Sequence, residues 1–137
     1  MVKAMAHAAV TVRNMDDSVR FYTEALGLKQ AFEIRNPKDG APWIVYLNLC
    51  PGQFIELFYD GTIENPWRPE LIGMNHLCFE VEDINEATQR VIDAGFTMDV
   101  MPNQGSDFNW QSWTTDPNGV RIELMQIDPN SPQAKYN

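Results

Sequence analysis

The stretch HAAVTVRNMDDSVRFYTEALG at residues 7–27 is matched by HLCFEVEDINEATQRVIDAG at residues 76–95. Each segment begins at one of the chain's only two histidines, His7 and His76. Each then combines an alternating strand, an acidic turn, an amphipathic helix and a final glycine, which is a typical helix-ending residue. This internal repetition predicts two equivalent halves and decides the fold.

A second repeated feature is the tripeptide Ile-Glu-Leu, which occurs at residues 55–57 and 122–124. Its glutamates, Glu56 and Glu123, lie 49 and 47 residues beyond the histidine of their own half. Alternate side chains of a strand share a face, so the Ile and Leu pack under a helix while the Glu points the other way. A partly buried carboxylate is costly unless its charge is compensated, and a divalent cation held by imidazoles and carboxylates would compensate both. The predicted metal ligands are His7, Glu56, His76 and Glu123.

Composition limits the classes of function. The 137 residues are 44% hydrophobic and 11% aromatic, which suffices for a packed core. The net charge of −9 argues against nucleic acid and anionic membranes as partners but leaves room for a small-molecule substrate. The N-terminus lacks a signal-peptide pattern, and Cys50 and Cys78 occupy dissimilar positions in the halves, so we expect a reduced, cytoplasmic protein. A catalytic cysteine is a weaker alternative, because neither thiol has a free histidine as its base.

The hydrophobic periodicity predicts the order β-α-β-β-β in each half. In the first helix Val19, Tyr22 and Leu26 fall at helical spacing and are flanked by Phe21 and Ala25, with Asn14 or Asp16 as the cap. The predicted elements are strand 5–12, helix 15–26, strands 28–35, 43–49 and 53–59, then strand 74–81, helix 84–94, and strands 96–101, 110–115 and 120–126. The predicted divisions are a first βαβββ module at 1–59, a linker at 60–72, a second module at 73–127 and a frayed or draped tail at 128–137.

The expected fold class is α+β. Neither module is large enough to bury both faces of its own sheet, so the two modules should pair. The helices then cover the outside, and two curved mixed sheets enclose a metal-containing cleft.

Four motifs carry a resemblance to a known family: SVRFYTEALGL at 18–28, FIELFY at 54–59, NHLCFEVED at 75–83 and TDPNGVRIELMQ at 115–126. With His7 in the first strand, they resemble the vicinal oxygen chelate superfamily of glyoxalases, bleomycin resistance proteins and dioxygenases. Within it the chain is most similar to glyoxalase I (lactoylglutathione lyase).

This resemblance implies a role for each predicted ligand. All four would bind one divalent ion per site, with nickel or cobalt favoured and zinc, manganese or iron as alternatives. Glu123 matches the family's main base and Glu56 is its symmetry-related partner, so both are catalytic candidates. The implied reaction is a proton transfer through a metal-bound enediolate, with the thiol adduct of a 2-oxoaldehyde as substrate. The resemblance also implies a homodimer, whose modules pair within or between chains.

Two positions depart from the glutathione contacts of glyoxalase I. Thr11 stands where the family has an arginine, and Asp60 replaces an asparagine. Arg121 shares the predicted face of Glu123, whereas Arg13 and Arg20 are expected on the surface. The stretch 102–115 contains Phe108, Trp110 and Trp113, which suit either a substrate pocket or hairpin and dimer contacts.

Several other functions stay open at this point. A glutathione-independent isomerase or epimerase, acting on a sugar or acyl thioester, shares the fold and proton chemistry. A ring-cleaving dioxygenase needs only two His and one Glu, and a fosfomycin-type thiol transferase does not need the second His–Glu pair. A metal-free drug-binding resistance protein lacks the full ligand set, so the presence of all four residues argues against it.

Overall fold

The computed structural model describes residues 1–136. The strands are β1 His7–Thr11, β2 Lys29–Arg35, β3 Pro42–Cys50, β4 Gln53–Phe58, β5 Leu77–Glu80, β6 Met98–Gln104, β7 Trp110–Thr115 and β8 Arg121–Gln126. The helices are α1 Met15–Arg20, which continues into a π-helical turn at Phe21–Ala25, and α2 Ile84–Asp93, and a short 3₁₀ turn follows at Gln133–Tyr136. The predicted order β-α-β-β-β is thereby confirmed in both halves.

Each half forms its own four-stranded sheet, and the two sheets have the same strand order. The strand order is β1-β4-β3-β2 in the first sheet and β5-β8-β7-β6 in the second. The first strand of each half runs parallel to the last, and the other neighbours are antiparallel. The predicted pair of βαβββ modules with mixed sheets is therefore confirmed.

The chain divides into two compact units, Met1–Glu64 and a second that begins at Asn65. Each helix packs on its own sheet, α1 against β4 and α2 against β6, β7 and β8. The completely buried Leu57 and Ile122 come from the two Ile-Glu-Leu tripeptides, as alternation predicts. Burial of each such side chain contributes about 1.5–3 kcal/mol to the free energy of unfolding, so each tripeptide stabilises the packing of its strand against the helix.

Both helices begin at a side-chain cap. The Oδ1 of Asn14 accepts a hydrogen bond from the backbone N–H of Asp17 at 3.0 Å. In the second unit Asp83 accepts from the N–H groups of Asn85 and Glu86. Asn14, rather than Asp16, is thus the cap of the first helix, and each cap fixes where the chain turns from strand to helix.

The first helix differs from the predicted regular helix over 15–26. It continues as a π-helical turn, in which the N–H of Leu26 bonds to the carbonyl of Phe21, five residues earlier. Within the helix Phe21, Tyr22 and Ala25 are buried, whereas Val19 and Leu26 are half-buried. The buried face of this turn therefore consists of the central residue of the predicted stripe, Tyr22, and the two residues predicted to flank it.

The C-terminal tail is draped over the second unit rather than frayed. The side-chain oxygen of buried Asn109 accepts a hydrogen bond from the N–H of Asp128 at 3.0 Å, and Ser131 is completely buried. The last predicted residue of the tail, 137, lies outside the described residues. Across residues 1–136, none of the helices combines the length and hydrophobicity needed to cross a membrane.

Candidate metal centre

In the first unit, His7 and Glu56 form a close pair. His7 opens β1, which runs parallel to β4 in a register that sets His7 beside Phe54 and Ala9 beside Glu56. The Nδ1 atom of His7 lies 3.2 Å from Oε1 of Glu56. The histidine side chain is 51% exposed, whereas the glutamate side chain is 6% exposed. The pair therefore combines an accessible imidazole with a carboxylate that is almost removed from water.

The second unit repeats this arrangement with His76 and Glu123. His76 directly precedes β5, and its Nε2 atom lies 3.0 Å from Oε2 of Glu123. The glutamate side chain is 7% exposed and the histidine side chain 30% exposed. Cys78, two residues after His76, is the register partner of Glu123 across the parallel β5–β8 ladder. The repeat in sequence is thus a repeat in local geometry.

The four predicted ligands come together as two pairs, one in each unit. Within residues 1–136, no group of three or more His, Cys, Asp or Glu side chains lies close enough to hold a metal ion. A single site of four ligands remains a prediction.

The ligand types and the spacing of each pair are compatible with two neighbouring ligands of one divalent ion. Two ligands about 2.1 Å from an ion, at neighbouring corners of an octahedron, lie about 3 Å from each other. The His–Glu separations are 3.2 and 3.0 Å. Two imidazoles and two carboxylates would hold nickel, cobalt, zinc, manganese or iron and leave coordination positions open. The donor set of this chain therefore fits a divalent cation.

Glu56 has a further partner that sequence reasoning missed. Tyr46 is directly opposite Glu56 in the antiparallel β3–β4 ladder, and its phenol donates a hydrogen bond to the carboxylate. This bond, together with desolvation and the carboxylate charge, raises the pKa of Tyr46 above 10.0, so the phenol remains protonated. The ring stacks on Phe32 at 4.3 Å between centroids and meets Phe54 edge-on at 5.9 Å. Tyr46 is thereby held in place to position Glu56.

Glu123 has different neighbours. The residue opposite it in the antiparallel β7–β8 ladder is Trp113, whose ring lies edge-on to the imidazole of His76 at 4.8 Å. The other neighbour is the thiol of Cys78. Desolvation, followed by the charge of Glu123 and a hydrogen bond to it, raises the pKa of Cys78 to about 12. The thiol is protonated at neutral pH, which argues against Cys78 as a nucleophile.

Asn75 orients the ring of His76. Its Oδ1 atom lies 2.8 Å from Nδ1 of His76 and can accept a proton from it, while Nε2 faces Glu123 at 3.0 Å. Histidines that bind metals commonly have such a partner on the second nitrogen, which fixes the tautomer. Ala6 occupies the corresponding position before His7, so the first unit lacks this hydrogen bond. The motif contained Asn75, but periodicity alone gave no indication of its contact.

The structure also places the residues that depart from the glutathione contacts. Thr11 is exposed at the end of β1. Asp60 is exposed and has a φ of 70°, a left-handed conformation that Asp and Asn tolerate better than most residues. Arg13 pairs with Glu64, and Arg20 lies 3.9 Å from a glutamate one helical turn later. Both arginines are on the surface, as predicted.

The predicted aromatic stretch 102–115 is mostly strand. Phe108 and Trp110, at the tip of the β6–β7 hairpin, are 53% and 40% exposed. Of the three aromatic residues, Trp113 is the one that contacts a predicted metal ligand.

Comparisons with known proteins give relatives over most of the chain. The uncharacterized protein YaeR of Escherichia coli is 31% identical over 131 residues, which span 91% of this chain and 97% of that protein. The lactoylglutathione lyase of Salmonella typhimurium is 27% identical over 126 residues, or 89% and 91% of the two chains.

The fold and the family agree with these relatives. The crystal structure of a glyoxalase family protein from Enterococcus faecalis superposes with a TM-score of 0.75 at 27% identity, over 90% of this chain and 97% of that one. The family model of the Glyoxalase/Bleomycin resistance protein/Dioxygenase superfamily matches residues 4–124. Because this match spans both βαβββ units and their His–Glu pairs, the chain belongs to the glyoxalase/bleomycin resistance protein/dioxygenase superfamily.

Proposed function

We propose that the chain is a divalent-metal-dependent lyase or isomerase of the glyoxalase I type, which moves a proton between neighbouring carbons of its substrate. The observation that carries this proposal is the repeated pair of an accessible histidine and a nearly buried glutamate, at 3.2 and 3.0 Å. We propose His7, Glu56, His76 and Glu123 as the ligands of nickel or cobalt. The ion would act as a Lewis acid towards two adjacent substrate oxygens and make the neighbouring C–H more acidic.

The surroundings of the two glutamates support different roles. Glu56 accepts a hydrogen bond from the phenol of Tyr46, whereas the corresponding donor beside Glu123 is the thiol of Cys78. A thiol is a weak donor, so Glu56 is held more firmly and Glu123 is freer to accept and return a proton. We therefore assign the main base to Glu123 and a supporting role to Glu56.

The direct test measures metal content and turnover together. Protein stripped with chelator and reloaded with nickel, cobalt, zinc or manganese should bind one ion per chain more tightly than about micromolar. With methylglyoxal and glutathione, the loaded protein should form the thioester product. Binding weaker than micromolar for every ion would instead favour a metal-free drug-binding protein.

A pair of substitutions separates the base from the ligands. Glu123→Gln should lower kcat about 10²–10⁴-fold and retain most metal binding, because the amide oxygen still coordinates but cannot take a proton. His76→Ala should reduce metal binding itself. Near-wild-type turnover in Glu123→Gln would remove Glu123 as the base.

A second candidate is a glutathione-independent isomerase or epimerase. Thr11 and Asp60 favour it, because Thr11 lacks the positive charge of an arginine and the carboxylate of Asp60 would repel a glutathione carboxylate. The loaded protein should then be inactive with the glutathione adduct but active with another thiol adduct, a sugar phosphate or an acyl thioester.

We further propose that the active form is a homodimer in which each metal ion takes one His–Glu pair from each subunit. A mixture of His7→Ala and His76→Ala subunits would then regain about a quarter of the wild-type sites, since each heterodimer has one site with both histidines. Neither variant alone should bind metal well. No recovery on mixing, in protein that light scattering shows to exchange subunits, would indicate pairing within one chain.

A further inference from the structure

Arg121, the first residue of β8, has an unusual environment. Its guanidinium carbon lies 4.1 Å from the ring centroid of Trp67 and 4.4 Å from that of Trp113. Both distances lie within the about 6 Å that a cation–π contact spans. A guanidinium has five N–H donors, and the hydrogen bond to Asn75 uses one of them, so others can bind an anion.

The charge of Arg121 is not matched by a carboxylate. Among residues 1–136, none of the ion pairs within 4.0 Å includes Arg121. Its hydrogen bond is a long one, 3.5 Å from Nη1 to Oδ1 of Asn75. The chain has 19 acidic residues against 10 basic ones, so a half-buried arginine without a carboxylate partner stands out. Partial desolvation of a cation is costly unless an anion compensates it.

The position of Arg121 connects this cation with the His76–Glu123 pair. Trp113 contacts both the guanidinium and the imidazole of His76. Asn75 does the same through one oxygen, which lies 2.8 Å from the His76 ring nitrogen and 3.5 Å from Arg121. Arg121 is also two residues from Glu123 on the same strand, so their side chains share a face. An anion bound to Arg121 would thus lie next to the reacting part of the site.

We propose that Arg121, held beside Trp67 and Trp113, binds a carboxylate or phosphate of the substrate. The substrate is then a small compound that has an anionic group beside its two vicinal oxygens. This assignment rests on the proposed function for the reaction, but the binding of the anion depends on the chain's own arginine. It supplies a contact for negative charge that Thr11 and Asp60 do not provide.

Three hydroxamates test the substrate class on nickel-loaded protein. All of them chelate metals through two adjacent oxygens; acetohydroxamate has a neutral tail, succinomonohydroxamate a carboxylate and phosphonoacetohydroxamate a phosphonate. At least one anionic probe should bind about tenfold more tightly than acetohydroxamate, in line with a charge-assisted bidentate contact. Whichever anionic probe shows the larger preference identifies the group.

Substitution of the arginine should remove this preference. In Arg121→Met the ratio of the affinities for the anionic and the neutral hydroxamate should fall to the ratio that the free chelators show for nickel. Arg121→Lys should keep part of the preference for the anionic hydroxamate. Arg90→Met, an exposed position on α2, is the matched control and should keep the wild-type ratio. An unchanged ratio in Arg121→Met would overturn the proposal while leaving the metal site intact.

A second readout needs no metal and uses the wild-type protein for the titration itself. In metal-free wild-type protein, titration with inorganic phosphate or succinate should shift the Arg121 Nε–Hε NMR signal, assigned by its loss in Arg121→Lys. A saturable shift with no binding of any hydroxamate would support the anion site and reject the proposed reaction. No saturable shift, together with equal hydroxamate affinities, would overturn the anion site.

Discussion

Tyr46 faces Glu56 across the β3–β4 ladder and donates its phenolic hydrogen to the glutamate, which is 4% exposed. Hydrogen bonds to charged groups contribute about 1.5–3 kcal/mol, and loss of such a contact to a metal ligand weakens metal binding 10–100-fold. We therefore expect Tyr46→Phe to weaken nickel binding by about tenfold and to lower the free energy of unfolding of the metal-free protein. Calorimetric titration and urea denaturation measure the two effects.

Tyr59→Phe is the control for this substitution. The pKa of Tyr59 is also raised, but burial is the main cause and Glu56 is not among the others. Removal of this hydroxyl should leave nickel affinity unchanged. Equal losses of affinity in the two variants would show that the phenol of Tyr46 does not position Glu56.

The hydrogen bond between Asn75 and His76 leads to a prediction about the tautomer. In metal-free protein Asn75 favours the proton of a neutral His76 on Nδ1, whereas Glu123 favours it on Nε2, and ¹⁵N NMR measures the fraction in the Nδ1–H form. Asn75→Ala should shift the population towards Nε2–H and weaken metal binding about tenfold, since Nε2 is then protonated in part. Asn75→Asp, which keeps an acceptor at this place, should retain the Nδ1–H form. A wild-type tautomer in Asn75→Ala would contradict this role.

The thiol of Cys78 should react slowly with alkylating reagents in metal-free protein. Its pKa of about 12 lies above that of an ordinary thiol, so at pH 8 only about one molecule in ten thousand has the reactive thiolate. The rate of iodoacetamide modification, followed by mass spectrometry, should therefore continue to rise beyond pH 10. Glu123→Gln should increase the rate at pH 9, because it removes the nearby negative charge. A plateau near pH 9 in the wild-type protein would contradict the raised pKa.

Gly61 is required by the close approach of two backbone segments. A Cβ atom there would lie 2.9 Å from the carbonyl oxygen of Val12, which also accepts the Gly61 N–H at 3.0 Å. We expect Gly61→Ala to lower the free energy of unfolding by about 1–3 kcal/mol, as crowding of a packed site does. Gly105→Ala should cost less, because the nearest atom is the end of the Asp107 side chain. Urea denaturation of the two variants gives the comparison, and equal losses would argue against a backbone clash.

Alternation within strands was sufficient to predict the fold and the faces of the candidate ligands. The two Ile-Glu-Leu tripeptides have buried Ile and Leu side chains, and both glutamates lie beside the histidine of their own half. This succeeded because a strand's period of two fixes which side chains share a face, whatever the strand's neighbours are. Helical periodicity predicted the stripe around Tyr22 with Phe21 and Ala25 beside it, but it did not indicate the π-turn at Phe21–Ala25.

Sequence periodicity did not predict the contacts around the candidate ligands. The pairing of Tyr46 with Glu56 depends on the register of two strands, which a single-strand pattern does not specify. Trp67 lies in the predicted linker, where there is no period from which to infer its contact with Arg121. Such contacts join residues distant in sequence, so the sequence indicated the chemistry of the site but not the groups that tune it.

The parallel pairing of each unit's first and last strands has a consequence for the order of folding. In the first unit β2, β3 and β4 can associate through short connections, whereas β1 must wait for β4, because His7 is registered with Phe54. Contacts between such distant residues form slowly, since a long loop must be closed first. The step that docks β1 is also the step that brings His7 to Glu56, and the same holds for His76 and Glu123 on β5 and β8. Cation binding by all four residues should therefore require both docking steps, and the bound ion would slow the release of either first strand.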